Sequence, residues 1–336
     1  MIKKIFKQSV GAKGESVLIR LSDGHKIRDK NTITNFGLSE LAFSLLDKSL
    51  PQFYFAVGDD DTLLDPALVA LQNTLQNEVS RLPPTNDISV EQQTDGHYQF
   101  ILESIFSVRN DPNLLQSPAI TLKEIGLFNR VKDGVMFSRS KKETPLTMDF
   151  QSKYNGAWLV DIGIGDIVSN GGIVNEGSRL ICEAMRKRDE GIDYENLYYG
   201  GADNTDNYIL PAPFGINLIS LGTGSVSPTV EDVDLVEPLI EFDTEPTITN
   251  LDLTGEGTDP LYRPKVIIQK YIPPNTVNVE ITEAALFNSR FVRTFSEQNI
   301  IQEKRTMFSR VILGEPIPAN EEAVLTWEIT FNRAGE

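Results

Sequence analysis

Cysteine is nearly missing from this sequence. Cys182 is the single thiol in 336 residues, which excludes an internal disulfide and a cysteine-rich zinc site. Histidine is almost as scarce. His25 and His97 are the whole supply, too few for histidine-based metal chemistry or for a Ser-His-Asp triad. Long apolar runs are lacking as well: stretches such as Ile216 to Leu221 fall far short of the ~20 residues a membrane helix needs, so no membrane insertion is expected. Met1 to Lys7 opens with lysines like a signal peptide, but no apolar segment follows, which reads as cytoplasmic synthesis without export.

Positive charge is also in short supply. Lysine and arginine number 31 against 48 acids, a net charge of −17. The first 30 residues run the other way, with eight bases (Lys3, Lys4 and Lys7 among them) against three acids, a net of +5, so the remainder carries −22. A surface that acidic repels nucleic acid, and no nucleic-acid partner is expected. The basic start is suited to an acidic neighbour, another copy of the chain included. Apolar content of 40% and charged content of 24% argue for a folded chain, and the length suits two domains of about 150 residues each.

What the sequence does hold is a repeat, carried by four landmarks in the same order. The first is Ile33-Thr34-Asn35-Phe36-Gly37 and, 140 positions on, Ile173-Val174-Asn175-Glu176-Gly177. A one-faced helical stripe follows each: Leu38, Leu41 and Leu45, then Ile181, Ala184 and Met185. Asn35 and Asn175 stand where a helix N-cap is expected. The second landmark is a short apolar strand running into a turn, Phe53 to Asp61 and Leu218 to Ser225. Gly58 aligns with Gly222 at an offset of 164, as do Leu71 with Leu235 and Leu75 with Leu239. A glycine there suggests a positive φ at the break of the strand.

The third landmark is Leu122 to Asn129 against Ile281 to Asn288, offset 159; in strand geometry it places Glu124 and Glu283 on an apolar face. A buried carboxylate requires hydrogen bonds or a cation. The fourth landmark offers one. Met136-Phe137-Ser138-Arg139 matches Met307-Phe308-Ser309-Arg310 at offset 171, so Glu124 is expected to pair with Arg139 and Glu283 with Arg310 across adjacent strands. Alternating closing strands end each copy, around Trp158 to Ile164 and Leu325 to Phe331. The expected fold is therefore mainly β: two tandem β-sandwich domains, each with one N-terminal helix. The expected bounds are 1–30 for a basic arm or first strands, 31–170 for copy one, and 171–336 for copy two with an insertion at 189–212.

Assembled in this order, the landmarks resemble the module of bacteriophage tail, baseplate and tail-collar fibre proteins. That family's pattern runs from an Ile-Thr-Asn-x-Gly helix start, through a Gly-Thr-Gly loop and an Ile-Thr-Glu-x-Gly-Leu-Phe-Asn strand, to Leu-Phe-x-Arg, a proline turn and Thr-Trp-x-Ile-Thr-Phe. Copy two carries the ending as Met307 to Val311, Pro316-Ile317-Pro318 and Thr326 to Phe331, whereas copy one carries the opening and departs at Gly58-Asp59-Asp60-Asp61 and at its end. The resemblance implies a virion component of a tail, baseplate or neck, made in the host cytoplasm. It further implies no catalytic residues, no cofactor and no metal, and partners that are other virion proteins and copies of itself.

Other candidate chemistry has weaker patterning. Asp59-Asp60-Asp61 clusters carboxylates but lacks the ligand spacing of a calcium loop and reads as a solvated turn. Gly163-Ile164-Gly165 and Gly222-Thr223-Gly224 lack the lysine and helix of a phosphate loop. Cys182 reads as a small core residue, and His97 has no catalytic companion in the pattern. The insertion holds six acids, no bases and Tyr194, Tyr198, Tyr199 and Tyr208, residue types suited to a protein interface or to stacking on sugars. Two rival functions follow: a receptor- or carbohydrate-binding adhesin using that loop, and an envelope-degrading enzyme using paired acids.

Overall fold

The computed structural model describes residues 1–46, 53–60, 74–85, 89–94, 97–107, 119–130, 132, 134–149, 151–164, 171–189, 215–244, 246–249, 259, 262–293 and 301–334. Among them the chain is mainly β, with seventeen strands in two sheets and two helices. The first half runs β1 (Ile2–Arg20), β2 (Lys26–Ile33), α1 (Asn35–Phe43), β3 (Tyr54–Gly58), β4 (Glu78–Leu82), β5 (Ser89–Gln92), β6 (Tyr98–Ser107), β7 (Ala119–Phe128), β8 (Met136–Asp149) and β9 (Lys153–Ile164). The second runs β10 (Gly171–Ile173), α2 (Asn175–Asp189), β11 (Leu218–Gly222), β12 (Pro238–Asp243), β13 (Thr247–Thr249), β14 (Lys265–Ile272), β15 (Ile281–Arg293), β16 (Ile301–Ile317) and β17 (Ala323–Arg333).

The repeat read from motifs is also a repeat of strand pairing. The order β2-β8-β7-β3-β4 recurs as β10-β16-β15-β11-β12, and β5-β6-β9 recurs as β13-β14-β17. Even the irregularities recur. The β7–β8 register slips between Leu122 and Glu124 and between Leu127 and Phe128; β15–β16 slips at the positions 159 residues later. Such bulges re-aim side chains, and here they bring the buried glutamates into position. Leu122 faces Leu146 and Ile281 faces Ile317, so Pro145-Leu146 is the first-half counterpart of Pro316-Ile317. The constant offset of 171 from the Met-Phe-Ser-Arg landmark carries that match, which a comparison of the copy endings alone overlooks.

The expected boundary near residue 170 does not divide the packing. β1 runs parallel to β17 over Ile2–Ala12 and antiparallel to β9 over Val10–Arg20, so the basic N-terminal segment is a strand stitching the two halves into one twelve-stranded sheet. The helices cross over as well. α1 packs on β8 and on β17, while α2 packs on β16 and on β5, β6 and β9. Asn35 accepts from Arg333 Nη2 at 2.6 Å and donates to the Asp259 carbonyl at 2.9 Å, and the Ile216 N–H donates to the Leu45 carbonyl. One buried cluster accordingly runs from Phe55 and Trp158 to Ile219 and Trp327. Alternation in the sequence marks which residues turn inward but not which surface covers them.

Three local expectations change for the same reason. α1 has no solvent side: each residue from Asn35 to Phe43 is buried, because first-half and second-half strands close on it together. Its N-cap is Thr34, whose hydroxyl accepts from the Gly37 N–H, which leaves the Asn35 amide for the other half. At the start of α2 the place of Thr34 falls to Val174, whose carbonyl takes the Gly177 and Ser178 N–H groups. Finally, Leu75 corresponds to Leu235 (both 5% exposed) and not to Leu239, which is 41% exposed. Both buried leucines plug small clusters separate from the main core, beside Phe128 and Met136 and beside Phe287 and Met307. Leu71 lies outside the described residues.

The glycine of each helix start is set by close approach. A Cβ on Gly37 would overlap the Phe137 carbonyl oxygen, and one on Gly177 would overlap that of Phe308. Helix propensity alone favours alanine over glycine by about 1 kcal/mol, but a clash with backbone that cannot move aside dominates. Gly37→Ala and Gly177→Ala are each expected to destabilise the chain by about 1–3 kcal/mol, read as a fall in the thermal midpoint. A rise would show that the helices do not sit this close to β8 and β16.

Candidate functional site

The charged residues shared by both halves form two internal clamps. In the first half Arg139 Nη2 donates to Glu124 Oε2, with both side chains buried on adjacent strands. The Asn77 N–H donates to Glu124 Oε1 at 3.2 Å, tying in the residue just before β4. In the second half Arg310 donates to Glu283 Oε2 from Nε at 3.1 Å and from Nη2 at 2.8 Å. Glu283 Oε1 accepts from the N–H groups of Gly224 at 3.0 Å and Glu237 at 2.9 Å. Arg310 also donates to Asp232 Oδ2 at 2.7 Å and to the Val226 carbonyl at 3.0 Å. The second clamp thus fastens both ends and the middle of the 223–237 connection.

The turn glycines have a different role from the one expected. Among the described glycines positive φ occurs at Gly24, in the β1–β2 turn, and not at Gly58 or Gly222. What Gly58, Gly222 and Gly224 provide is space. A Cβ on any of them would collide with the Glu124 or Glu283 carboxylate. Sequence reasoning located these residues by their constant offsets and missed that glycine and glutamate form one packing unit.

Electrostatics favour charged partners inside the second clamp. Burial opposes the charge on Asp232, but hydrogen bonds from Arg310 and Thr229 outweigh it and hold the carboxyl below the usual range. Burial likewise opposes the Arg310 charge, yet its bonds to Asp232 and Glu283 raise it above the ordinary arginine value. Both glutamates are enclosed and occupied by guanidinium and backbone donors, so neither is placed to exchange a proton with a ligand.

A further buried ion pair was not legible in the pattern. Lys142 Nζ lies 2.5 Å from Asp29 Oδ2 and 3.3 Å from Ser16 Oγ where β1, β2 and β8 meet. Its equivalent 171 positions on is the buried Leu313. Burial pushes the Lys142 ammonium below the ordinary lysine range, with Asp29 pulling the other way.

The remaining candidates scatter. Lys3, Lys4 and Lys7 lie on β1, where Lys4 Nζ reaches Glu315 Oε2 at 3.2 Å. Asp59 accepts from the Asn77 side-chain amide, and Asp61 lies outside the described residues. Among the described residues no cluster of three or more His, Cys, Asp or Glu side chains is arranged to hold a metal. Cys182 is buried, and burial drives its thiol well above the usual value, so it is no nucleophile. His25 sits in the exposed β1–β2 turn and His97 just before β6. Tyr194, Tyr198, Tyr199 and Tyr208 lie outside the described residues. An open groove of about 760 Å³ lies between β12 and the two turns that follow β14 and β16 and cross from one sheet to the other, with Asn275, Thr276, Asn278 and Asn320 beside Leu239 and Val277. Among the described residues, no helix is long and apolar enough to cross a membrane. Compared with protein-family models, curated proteins and solved structures, the chain has no match.

Proposed function

We propose that this chain is a non-enzymatic structural protein of a bacteriophage virion, at home in the tail, baseplate or neck, where it links neighbouring subunits or anchors fibres. In this reading each half is a β-sandwich module with its own helix, and duplication has given one chain two related but unlike outer surfaces. Its partners are other virion proteins and further copies of itself, with no nucleic acid, membrane, metal or cofactor involved. The observation that supports this best is the use of the repeated charged residues. Glu124 with Arg139 and Glu283 with Arg310 are spent on holding loops to sheets, in both halves. A chain whose repeated polar residues serve rigidity is suited to bearing geometry within an assembly.

The test is the composition of the particle. Antibody against the chain is expected to label purified virions at one fixed axial position, and peptide mass spectrometry to recover it in constant stoichiometry. Particles without the chain would refute the reading. A carbohydrate- or receptor-binding adhesin is the second reading, favoured by the amide-lined groove at Asn275, Asn278 and Asn320, since side-chain amides beside an apolar floor suit a hydroxyl-rich ligand. Binding on a glycan array that is lost in Asn278→Ala would favour it.

A further inference from the structure

The 223–237 connection between β11 and β12 presents apolar side chains to solvent although it is firmly held. Val233 is 70% exposed and Val226 59%, with Val230 and Val236 beside them. The backbone under these valines is fixed. Arg310 holds the Val226 carbonyl and Asp232, Glu283 holds Gly224 and Glu237, the Asn175 N–H holds the Val230 carbonyl, and Leu235 is plugged into the sheet beside Phe287. A preorganised apolar knob loses little entropy on binding, and exposed apolar patches of this kind mark interaction sites. The knob is also acidic: from residue 223 to 243 there are six Asp or Glu and no Lys or Arg, with Arg305 and Arg310 reaching in from β16.

The complementary surface is on the same chain. On β1 the side chains of Lys3, Ile5 and Lys7 share the outer face of the large sheet, with Met1 at its end and Ile5 58% exposed. Register carries this face onto the next strands: Lys3 lies opposite Val324, which lies opposite Tyr271, itself exposed. Lys7 lies opposite Glu328, which Lys265 also holds, so the strip sets Lys3, Lys7 and Lys265 against Glu328 and is apolar with a net basic charge where the knob is apolar and acidic. The two cannot meet within one molecule. Trp327 and Ile268 face the main core from the large sheet, as Ile219 and Leu286 do from the smaller one. The knob, by contrast, covers the far side of the smaller sheet at Leu235 and Phe287. Strip and knob thus sit on opposite outer faces.

We propose that the valine knob of one copy docks on the Lys3–Ile5–Lys7 strip of a second copy. Two different patches make the contact, so it is head-to-tail, and repetition builds a ring or a filament. This deepens the assembly reading above and rests on it, yet it fails separately. If the chain incorporates into particles but never self-associates, that reading stands and this one falls.

The experiment uses the full chain in sedimentation velocity over a hundredfold concentration range. Wild type is expected to form concentration-dependent oligomers that weaken as salt is raised, because the lysine–carboxylate component is screened. Val233→Glu and Ile5→Glu, both at exposed positions and checked for an unchanged thermal midpoint, are each expected to remain monomeric, with association weakened at least about tenfold, the change that 1.4 kcal/mol produces. Mixed together they are expected to form a 1:1 dimer and stop, since one retains an intact strip and the other an intact knob. Monomeric wild type, variants that assemble like wild type, or a mixture that stays monomeric would each overturn the proposal.

Discussion

Arg310→Met is expected to lower the stability of the chain by about 3–5 kcal/mol, the usual cost of removing one partner from a buried ion pair. The size follows from what is left behind. Arg310 supplies four hydrogen bonds, to Glu283, Asp232 and the Val226 carbonyl, and its removal strips a fully buried carboxylate of its cation. The midpoint of urea unfolding should fall at constant slope. Amide hydrogens of Gly224 and Glu237, both bonded to Glu283, should lose protection from exchange before those of β15. Adding Glu283→Gln should recover part of the loss, because a neutral amide costs far less to bury than an unpaired charge. Breaking an exposed pair such as Arg20 with Asp23, at 3.0 Å, should by contrast change stability only slightly. A loss that small for Arg310→Met would show that the clamp does not hold the loop.

Lys142→Met is expected to cost a similar amount, about 3–5 kcal/mol, because it leaves Asp29 buried beside Ser16 without the ammonium. The second half suggests the rescue. It has Leu313 at the matching position, so Asp29→Leu combined with Lys142→Leu should restore stability to the wild-type level or exceed it by about 1–4 kcal/mol, as replacing a whole buried pair with apolar groups often does. The pH response provides an independent check. Burial lowers the Lys142 pKa in the folded chain, so between that lowered value and the ordinary lysine value the unfolded chain holds more protons. The penalty is fully present below the folded value and disappears as pH rises through the unfolded one, so the contribution of this residue to stability rises with pH across that window. Lys142→Met should remove that part of the slope; an unchanged slope would mean that Lys142 does not titrate in this environment.

How much could be read in advance depended on whether a feature was local or paired across the chain. Glu124, Arg139, Glu283 and Arg310 were legible because a carboxylate on an apolar strand face needs a cation, and both copies offered one at constant spacing. Asn35 was misread as a cap because asparagine commonly caps; Thr34 next to it does so, and what Asn35 binds, Arg333, lies 298 residues away. Gly58 and Gly222 were misread because a glycine at a strand end suggests positive φ, whereas here the side chain of a glutamate on the adjacent strand, 66 and 61 residues further along the chain, needs the empty volume. Lys142 gave no signal at all. Its partner Asp29 and its neighbour Ser16 come from different strands, and charged residues in a strand ordinarily face water.

By itself the sequence determined the composition limits, the mainly β character and the repeat of four landmarks in the same order. These depend on periodicity and short-range chemistry, which any stretch of chain expresses locally. Only the tertiary structure decided that the two halves form one interlocked core. The alternation of β1 suits pairing with β9 or with β17, and it takes both; the apolar faces of α1 and α2 suit any sheet, and each packs partly on the other half. Burial is rewarded by area and is indifferent to which surface provides it, so the identity of the cover is fixed by shape and hydrogen bonding over the whole chain.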